Sequence, residues 1–339
     1  MAGKNTVKHA FFAAVLLLAG ASVLSGSYVK QYAAESAASL TEEGPAETGD
    51  NITGDEAVVS VTDDLDREVS VPSGMIKAAA LTASFAQTWL LAGGEICAAP
   101  HDAWEDLDLD LDESVTDLGK YNEVSWEMLF CSEPDLVIAS AKTGNHLELK
   151  DTLEKAGIPV LYFEVNTFED YLRMLKAVTR LTGRDDLYEE NGTHVKAQVD
   201  AVIEASKGRG GDAPRILLLR TLSSGVKAKD SESSVGGLIL RDLGCVNIAD
   251  GSDLLEDLSL ERIIVEDPDF IFILQQGNDS EKAEQEIRES LSDNPAWAEL
   301  TAVKENRVFW LDRYLYQFKP NSRWGEAYEK LEKILSETF

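Results

Sequence analysis

Histidine is scarce in this chain. His9, His101, His146 and His194 are the only four in 339 residues, too scattered for a multi-histidine zinc or manganese site. Cysteine is scarcer. Cys97, Cys131 and Cys245 are odd in number and far apart, which argues against a disulfide framework and against a thiolate metal centre. Each lies in or beside an apolar run and reads as a buried small hydrophobe. Positive charge is in deficit, with 31 Lys and Arg against 61 Asp and Glu and a formal net charge of -30. Such a surface repels phosphate backbones and argues against a nucleic acid partner. The acidity suits solubility or a salty medium, or acidic patches that meet basic residues of a partner. Walker and Rossmann glycine loops and the nucleophile elbow are missing as well.

The first residues read as an export signal over 1–26. Lys4 and Lys8 form a basic start, and Ala10 to Leu24 is an apolar run too short to span a bilayer comfortably. No later segment is apolar enough to cross a membrane. Leu24-Ser25-Gly26 is similar to the start of a lipoprotein lipobox, but Ser27 stands where the lipid-bearing cysteine would be. Lipidation by that route is therefore excluded, leaving secretion or a retained signal. Residues 27–56 are acidic and rich in Ala, Gly, Ser and Thr, and read as a disordered tether.

Order is expected from Ala57. An alternating strand to Thr62, a turn over Asp63 to Arg67 and a return over Glu68 to Pro72 make a hairpin. Lys77 to Leu81 reads as a buried strand, and Ser84 as the cap of a helix to Leu91. Strands then alternate with helices, at Asp135 to Ala139 and Pro159 to Phe163, the pattern of a parallel sheet covered on both faces. Thr167 and Asp170 form a capping box ahead of a helix that Gly183 stops. A second helix, from Asp185 to about Ser206, is roughly 30 Å long. Alternation restarts with strands at Arg215 to Leu219, Asp269 to Ile273 and Arg307 to Leu311, and ends on a helix from Gly325. The fold class is α/β: a first lobe over 57–183, a linking helix over 184–208 and a second lobe over 209–339.

The halves share a repeat. Ser125 to Ile138 aligns with Ser259 to Phe272 at a constant offset (261 − 127 = 134), with Ser, Glu, Pro and Asp coinciding. After a one-residue slip, Gly144-Asn145 meets Gly277-Asn278. Glu127 and Glu261 each fall in the first turn of a short helix, where they can offset the helix dipole or be read by a partner with two basic sites.

Near the C-terminus, Lys319-Pro320-Asn321-Ser322-Arg323-Trp324-Gly325 combines a rigid turn, two cations and an indole ahead of a helix. With Val61 to Pro72, Glu133 to Ile138, Ala156 to Val160 and Leu243 to Ala249, it resembles the extracytoplasmic substrate-binding proteins of ABC importers for iron-siderophores, haem and cobalamin. The resemblance runs from Val58 to the end. It implies two Rossmann-like lobes with mostly parallel sheets, joined by a single long α-helix, with a ligand cleft between them. It implies no catalysis and no cofactor of the protein's own. The cargo would be an iron chelate, haem or corrinoid, and the protein a monomer at the extracellular face of the membrane or in the periplasm. It also implies that Glu127 and Glu261 dock onto arginines of a permease dimer that carries its ATPase subunits. The chain departs from the pattern at Asp66, where glycine is usual, at Ser73-Gly74-Met75, and at Ser27.

A cleft for an anionic, partly apolar chelate needs cations and aromatic walls. Arg220, at the end of a strand, and Lys227 are the candidates from the second lobe, with Arg323 and Trp324. Ser84, Phe85, Trp104 and Tyr121 are those from the first. For direct iron ligation, His101, Tyr121, Tyr314 and Tyr316 are placed plausibly, but packing or surface roles suit each of them as well. The competing reading is a two-lobed enzyme of glycosyltransferase or nitrogenase-like type, which would need nucleotide loops or cluster cysteines. A cell-surface interaction protein with an empty cleft is a third.

Overall fold

The computed structural model describes residues 58–337 apart from 73, 75, 223 and 278. The export signal, the lipobox-like segment with Ser27 and the tether lie outside the described residues, as do Ala57, Ser73, Met75 and Asn278. The hairpin forms as expected, β1 (Val58–Thr62) against β2 (Glu68–Pro72), antiparallel with Val61 opposite Val69. Asp66 occupies the left-handed region there, with φ of 57°, one of the few places where Asp substitutes tolerably for glycine. The Asp63 carboxylate holds the turn shut, accepting from the Leu65 and Arg67 amides at 3.1 Å and from Tyr162 N–H at 3.2 Å.

The first sheet follows: β3 (Lys77–Ala80), α1 (Ala83–Leu91), β4 (Glu95–Ala99), α2 (Asp102–Glu105), β5 (Thr116–Asp117), α3 (Trp126–Cys131), β6 (Leu136–Ser140), α4 (Gly144–Glu148), α5 (Lys150–Lys155) and β7 (Val160–Phe163). Its strands are all parallel, in the order β5-β4-β3-β6-β7. The N-cap of helix α1 lies two residues before the expected Ser84: it is Thr82, without a side-chain capping bond. Helix α6 (Phe168–Thr182) has the expected capping box, Thr167 with Asp170, and ends on Gly183 with φ of 67°. The next helical run joins α7 (Asp185–Tyr188), a π-turn (Glu189–Thr193) and α8 (His194–Ser206).

The second sheet is built from β8 (Arg215–Leu222), β9 (Gly225–Ala228), α9 (Val235–Asp242), β10 (Val246–Asn247), α10 (Leu260–Glu266), β11 (Phe270–Gln275), α11 (Ser280–Ile287), α12 (Thr301–Lys304), β12 (Val308–Leu311), α13 (Arg313–Tyr316) and α14 (Trp324–Glu337). The order β10-β8-β11-β12 is parallel, and β9 folds back antiparallel on β8. Side chains alternate between faces as a buried strand requires. Leu136 and Ile138 face one apolar cluster while Val137 and Ala139 face another; Ile216 and Leu218 likewise oppose Leu217 and Leu219. The inner faces of both sheets share one cluster, threaded by α6, α8 and α14.

The internal repeat is structural in detail. Ser125 Oγ accepts from Met128 N–H and Ser259 Oγ from Arg262 N–H, both at 3.3 Å. Glu133 and Asp267 close their helices in the left-handed region, with φ of 47° and 40°. Asp135 accepts from Lys77 N–H at 2.9 Å and Asp269 from Arg215 N–H at 2.8 Å, so each carboxylate pins the start of the neighbouring strand. The correspondence fades beyond the strand, where Gly144 opens a helix and Gly277 takes a φ of 81°.

Candidate ligand cleft

In a parallel sheet the loops that leave the carboxyl ends are the free ones, and ligands gather there. Here the carboxyl edges of the two sheets face each other. Asn321 donates from Nδ2 to Ser84 O at 3.0 Å and to Gln87 Oε1 at 2.6 Å. Arg313, just past β12, reaches Asp106, just past α2, with Nη2 to Oδ1 at 3.2 Å. Phe168, beyond β7, meets Trp324 with ring centroids 5.6 Å apart.

Polar atoms collect at this seam. Thr82 Oγ1, Asp102 Oδ1, Arg220 Nε, Thr221 Oγ1, Arg313 Nε and Gln317 Oε1 are buried without a hydrogen-bond partner among the described residues. Each such atom costs about 1–3 kcal/mol, so their concentration at one edge fits a polar ligand. A concavity of about 700 Å³ opens at the opposite, amino-terminal edge of the first sheet, lined by Arg67, Pro134, Gly157 and Pro159. Its one cation, Arg67, is already committed to Asp63 and Glu154.

Arg220 and Lys227 stand directly opposite each other on β8 and β9. Lys229 follows two residues later on the same side. Like charges so placed repel, and no ion pair offsets any of the three among the described residues. Burial lowers the Arg220 guanidinium's pKa, and burial together with the Arg220 charge lowers that of Lys229. The expected site residues Arg220 and Lys227 are therefore brought together. Lys229 had not been singled out, although it shares the alternation of Lys227.

Other expectations need correction. Trp324 does not offer its indole to a cleft: it is 1% exposed, packed between Phe168 and Tyr328. Arg323 is exposed but bound to Glu326, Nε to Oε2 at 2.7 Å. Phe85 is 5% exposed, edge-on to Phe163 in the core. The Ser84 carbonyl is taken by Thr88 Oγ1 and Asn321. Trp104 is half-buried against the core, while Tyr121 keeps 49% of its surface open. His101 has both ring nitrogens engaged, Nδ1 with Asp117 at 2.7 Å and Nε2 with Glu105 at 3.2 Å. Tyr316 is buried, its hydroxyl donating to Ala327 O at 2.9 Å. Tyr314 stays exposed. Among the cysteines only Cys245 is fully buried; Cys97 is partly so and Cys131 is exposed.

Glu127 and Glu261 lie in the first turns of α3 and α10, both exposed. A helix that feeds a parallel strand runs antiparallel to it, so both glutamates stand level with the carboxyl edges, flanking the seam.

His146 braces the first-lobe rim. Its Nδ1 accepts from Ser140 N–H at 3.1 Å, and its Nε2–H donates to Tyr121 O at 2.7 Å. Burial lowers its pKa from the ordinary 6.5, so the native state holds it neutral. As pH falls, the unfolded chain takes up this proton first. The His146 contribution is therefore complete above pH 6.5 and declines below it. Melting temperature followed from pH 7.5 to 5 should fall less in His146→Gln than in the wild type. Equal slopes would show that this imidazole is not the titrating group.

A family model described as periplasmic binding protein matches residues 79–315. The chain is 26% identical over 203 residues to the Fe(3+)-citrate-binding protein YfmC of Bacillus subtilis strain 168, covering 58% of this chain and 60% of that protein, under two thirds of its length. In structure it is similar to the periplasmic catecholate-siderophore binding protein VctP from Vibrio cholerae, at 16% identity over 83% of this chain and 99% of that one, TM-score 0.64. It is also similar to the periplasmic heme-binding protein RhuT from Roseiflexus sp. RS-1 in apo form, at 18% identity over 78% and 99%, TM-score 0.62. These likenesses establish a fold of two α/β lobes. The family is one of binding proteins, so the glycosyltransferase or nitrogenase-like reading is set aside. No helix among the described residues is long and apolar enough to cross a membrane. With well over half its length matched and two sheets whose principal strands run parallel, the chain belongs to the periplasmic binding protein family.

Proposed function

We propose that this protein is the extracytoplasmic receptor of an ABC importer. It holds an anionic iron chelate, a ferric siderophore before haem or a corrinoid, between its lobes and delivers it to a permease dimer. The lobes are taken as 57–183 and 209–339, with 184–208 as the link, and the receptor as a monomer. Without a lipobox cysteine at Ser27, it is exported rather than lipid-anchored by that route.

The observation that carries this reading is the cluster of Arg220, Lys227 and Lys229, none of them in an ion pair among the described residues. Asp230 acts on Lys229 alone, so in a chain with a formal net charge of -30 three neighbouring cations with one carboxylate beside them imply a ligand that supplies further negative charge. Tyr121 and Tyr314 keep open aromatic surface.

Titration with ferric citrate and with a ferric catecholate, read by tryptophan fluorescence, tests it. At least one should bind saturably. Arg220→Gln should weaken that binding by about 10- to 100-fold, the worth of a hydrogen bond to a charged group. The absence of binding by any anionic chelate, or an Arg220→Gln variant with unchanged affinity, would overturn the reading. Native purification followed by absorption spectroscopy separates haem and corrinoid cargo from a ferric siderophore.

A further inference from the structure

We propose that Asp106 is an internal stand-in for the cargo: its carboxylate occupies Arg313 in the unliganded protein, and the anionic chelate displaces it on binding. The inference rests on the cargo being anionic, as proposed above.

Arg313 is placed to meet a ligand. It follows β12 directly, at the carboxyl edge of the second sheet. Leu311 on β12 is in register with Leu274 on β11, and Leu274 with Arg220 on β8. Arg220 and Arg313 therefore mark the same edge two strands apart, about 10 Å at the usual interstrand spacing. Both carry a buried Nε with no partner among the described residues.

The present partner fits Arg313 incompletely. A guanidinium pairs best with an oxyanion through two parallel hydrogen bonds. Asp106 accepts one, at Oδ1 from Nη2–H at 3.2 Å, and leaves Nε bare. The guanidinium carbon lies 5.0 Å from the Phe318 ring centroid, a cation-π contact that helps to hold the side chain in place. A chelate carboxylate or catecholate bridging Nε and Nη2 would satisfy what Asp106 does not.

Asp106 is also a poor permanent partner. It comes from the other lobe, just past α2, with Asp102 and Glu105 of that helix and Asp108 close by in sequence. Asp102 has a buried, unpartnered Oδ1, and burial with the neighbouring Asp106 charge raises its carboxyl pKa. The pair itself is largely shielded, with side-chain exposures of 18% for Arg313 and 27% for Asp106. Exchange replaces one anion on Arg313 by another. Arg313 thus stays paired when the cleft is empty, and the interlobe bond passes from Asp106 to the cargo.

Binding of whichever of ferric citrate and a ferric catecholate the wild type takes, measured on the wild type, Asp106→Asn, Arg313→Gln and the double variant, tests this, with thermal melting to verify folding and Asp106→Ser as a second variant. Asp106→Asn should bind that chelate about 2- to 5-fold more tightly, the size of removing a competing ion pair. Arg313→Gln should bind it more weakly, and in that background Asp106→Asn should have no further effect. If Asp106→Asn binds no more tightly while Arg220→Gln still weakens binding, the stand-in falls and the receptor reading survives. An equal gain in the Arg313→Gln background would mean a general field effect and would also overturn it. If neither ferric citrate nor a ferric catecholate binds the wild type, the receptor reading fails and takes this inference with it.

Discussion

Replacing Trp324 by alanine should destabilise the protein by about 3–5 kcal/mol, the range for removing a buried tryptophan. For a body of this size that is a fall in melting temperature on the order of 10 °C. The indole is enclosed by Phe168 of one lobe and Tyr328 of the other, so its loss opens a cavity where both lobes meet. The neighbouring Asn321 adds to the same joint. It is buried, takes a φ of 52°, and donates across the seam to Ser84 and Gln87. Gly325 is confined as well, since a Cβ there would lie 1.9 Å from Gln198 Oε1. Trp324→Phe should be far milder, because it keeps most of the apolar contact and removes an indole N–H that has no partner among the described residues. Circular dichroism melting checks both variants. If Trp324→Ala melted like the wild type and instead lost chelate binding, the indole would be a cargo platform after all.

That contrast marks the limit of what the sequence makes legible. An indole after a Pro-Asn turn, with a guanidinium beside it, looks alike whether it stacks on a ligand or on another lobe. The difference lies in Phe168, more than a hundred residues away in the chain. Features written in short-range chemistry were readable: the Thr167 and Asp170 capping box, the stop at Gly183, and the Ser-Glu-Pro-Asp repeat that places Glu127 and Glu261. Strand β4, Glu95-Ile96-Cys97-Ala98-Ala99, was missed because it has no alternation and only one β-branched residue, Ile96, to announce it. Strand β9 escaped for a related reason, since its short Gly-Val-Lys-Ala run reads as loop and only pairing with β8 defines it. Arg220 stood out because it ends an apolar run. Arg313 did not, because its value comes from Asp106 in the other half, a pairing that no local pattern encodes.

Reversing both tip charges, Glu127→Arg with Glu261→Arg, should abolish uptake and leave chelate affinity and melting temperature close to wild type. Each glutamate sits behind a serine cap at the start of a short helix, exposed and flanked by apolar surface: Trp126 and Met128 at one tip, Ile264 and Val265 at the other. Glu261 is held below the ordinary carboxylate range by hydrogen bonds from its own backbone and from Ser259, so it stays charged through physiological pH. Neither glutamate makes an ion pair to a lysine or arginine among the described residues, so stability should change little. At a docked interface the effect is different. Arginine brought against arginine at two sites turns attraction into repulsion, which slows encounter and weakens the complex by about a hundredfold or more. Because the 134-residue repeat makes the tips equivalent (261 − 127 = 134), each single reversal should give partial loss and the pair a complete one. Uptake of radioactive iron as chelate by cells carrying each variant, beside fluorescence titration of the purified proteins, separates delivery from binding. Normal import by the double variant would remove the tips from the docking surface. Equal losses of uptake and affinity would place Glu127 and Glu261 in the cleft instead.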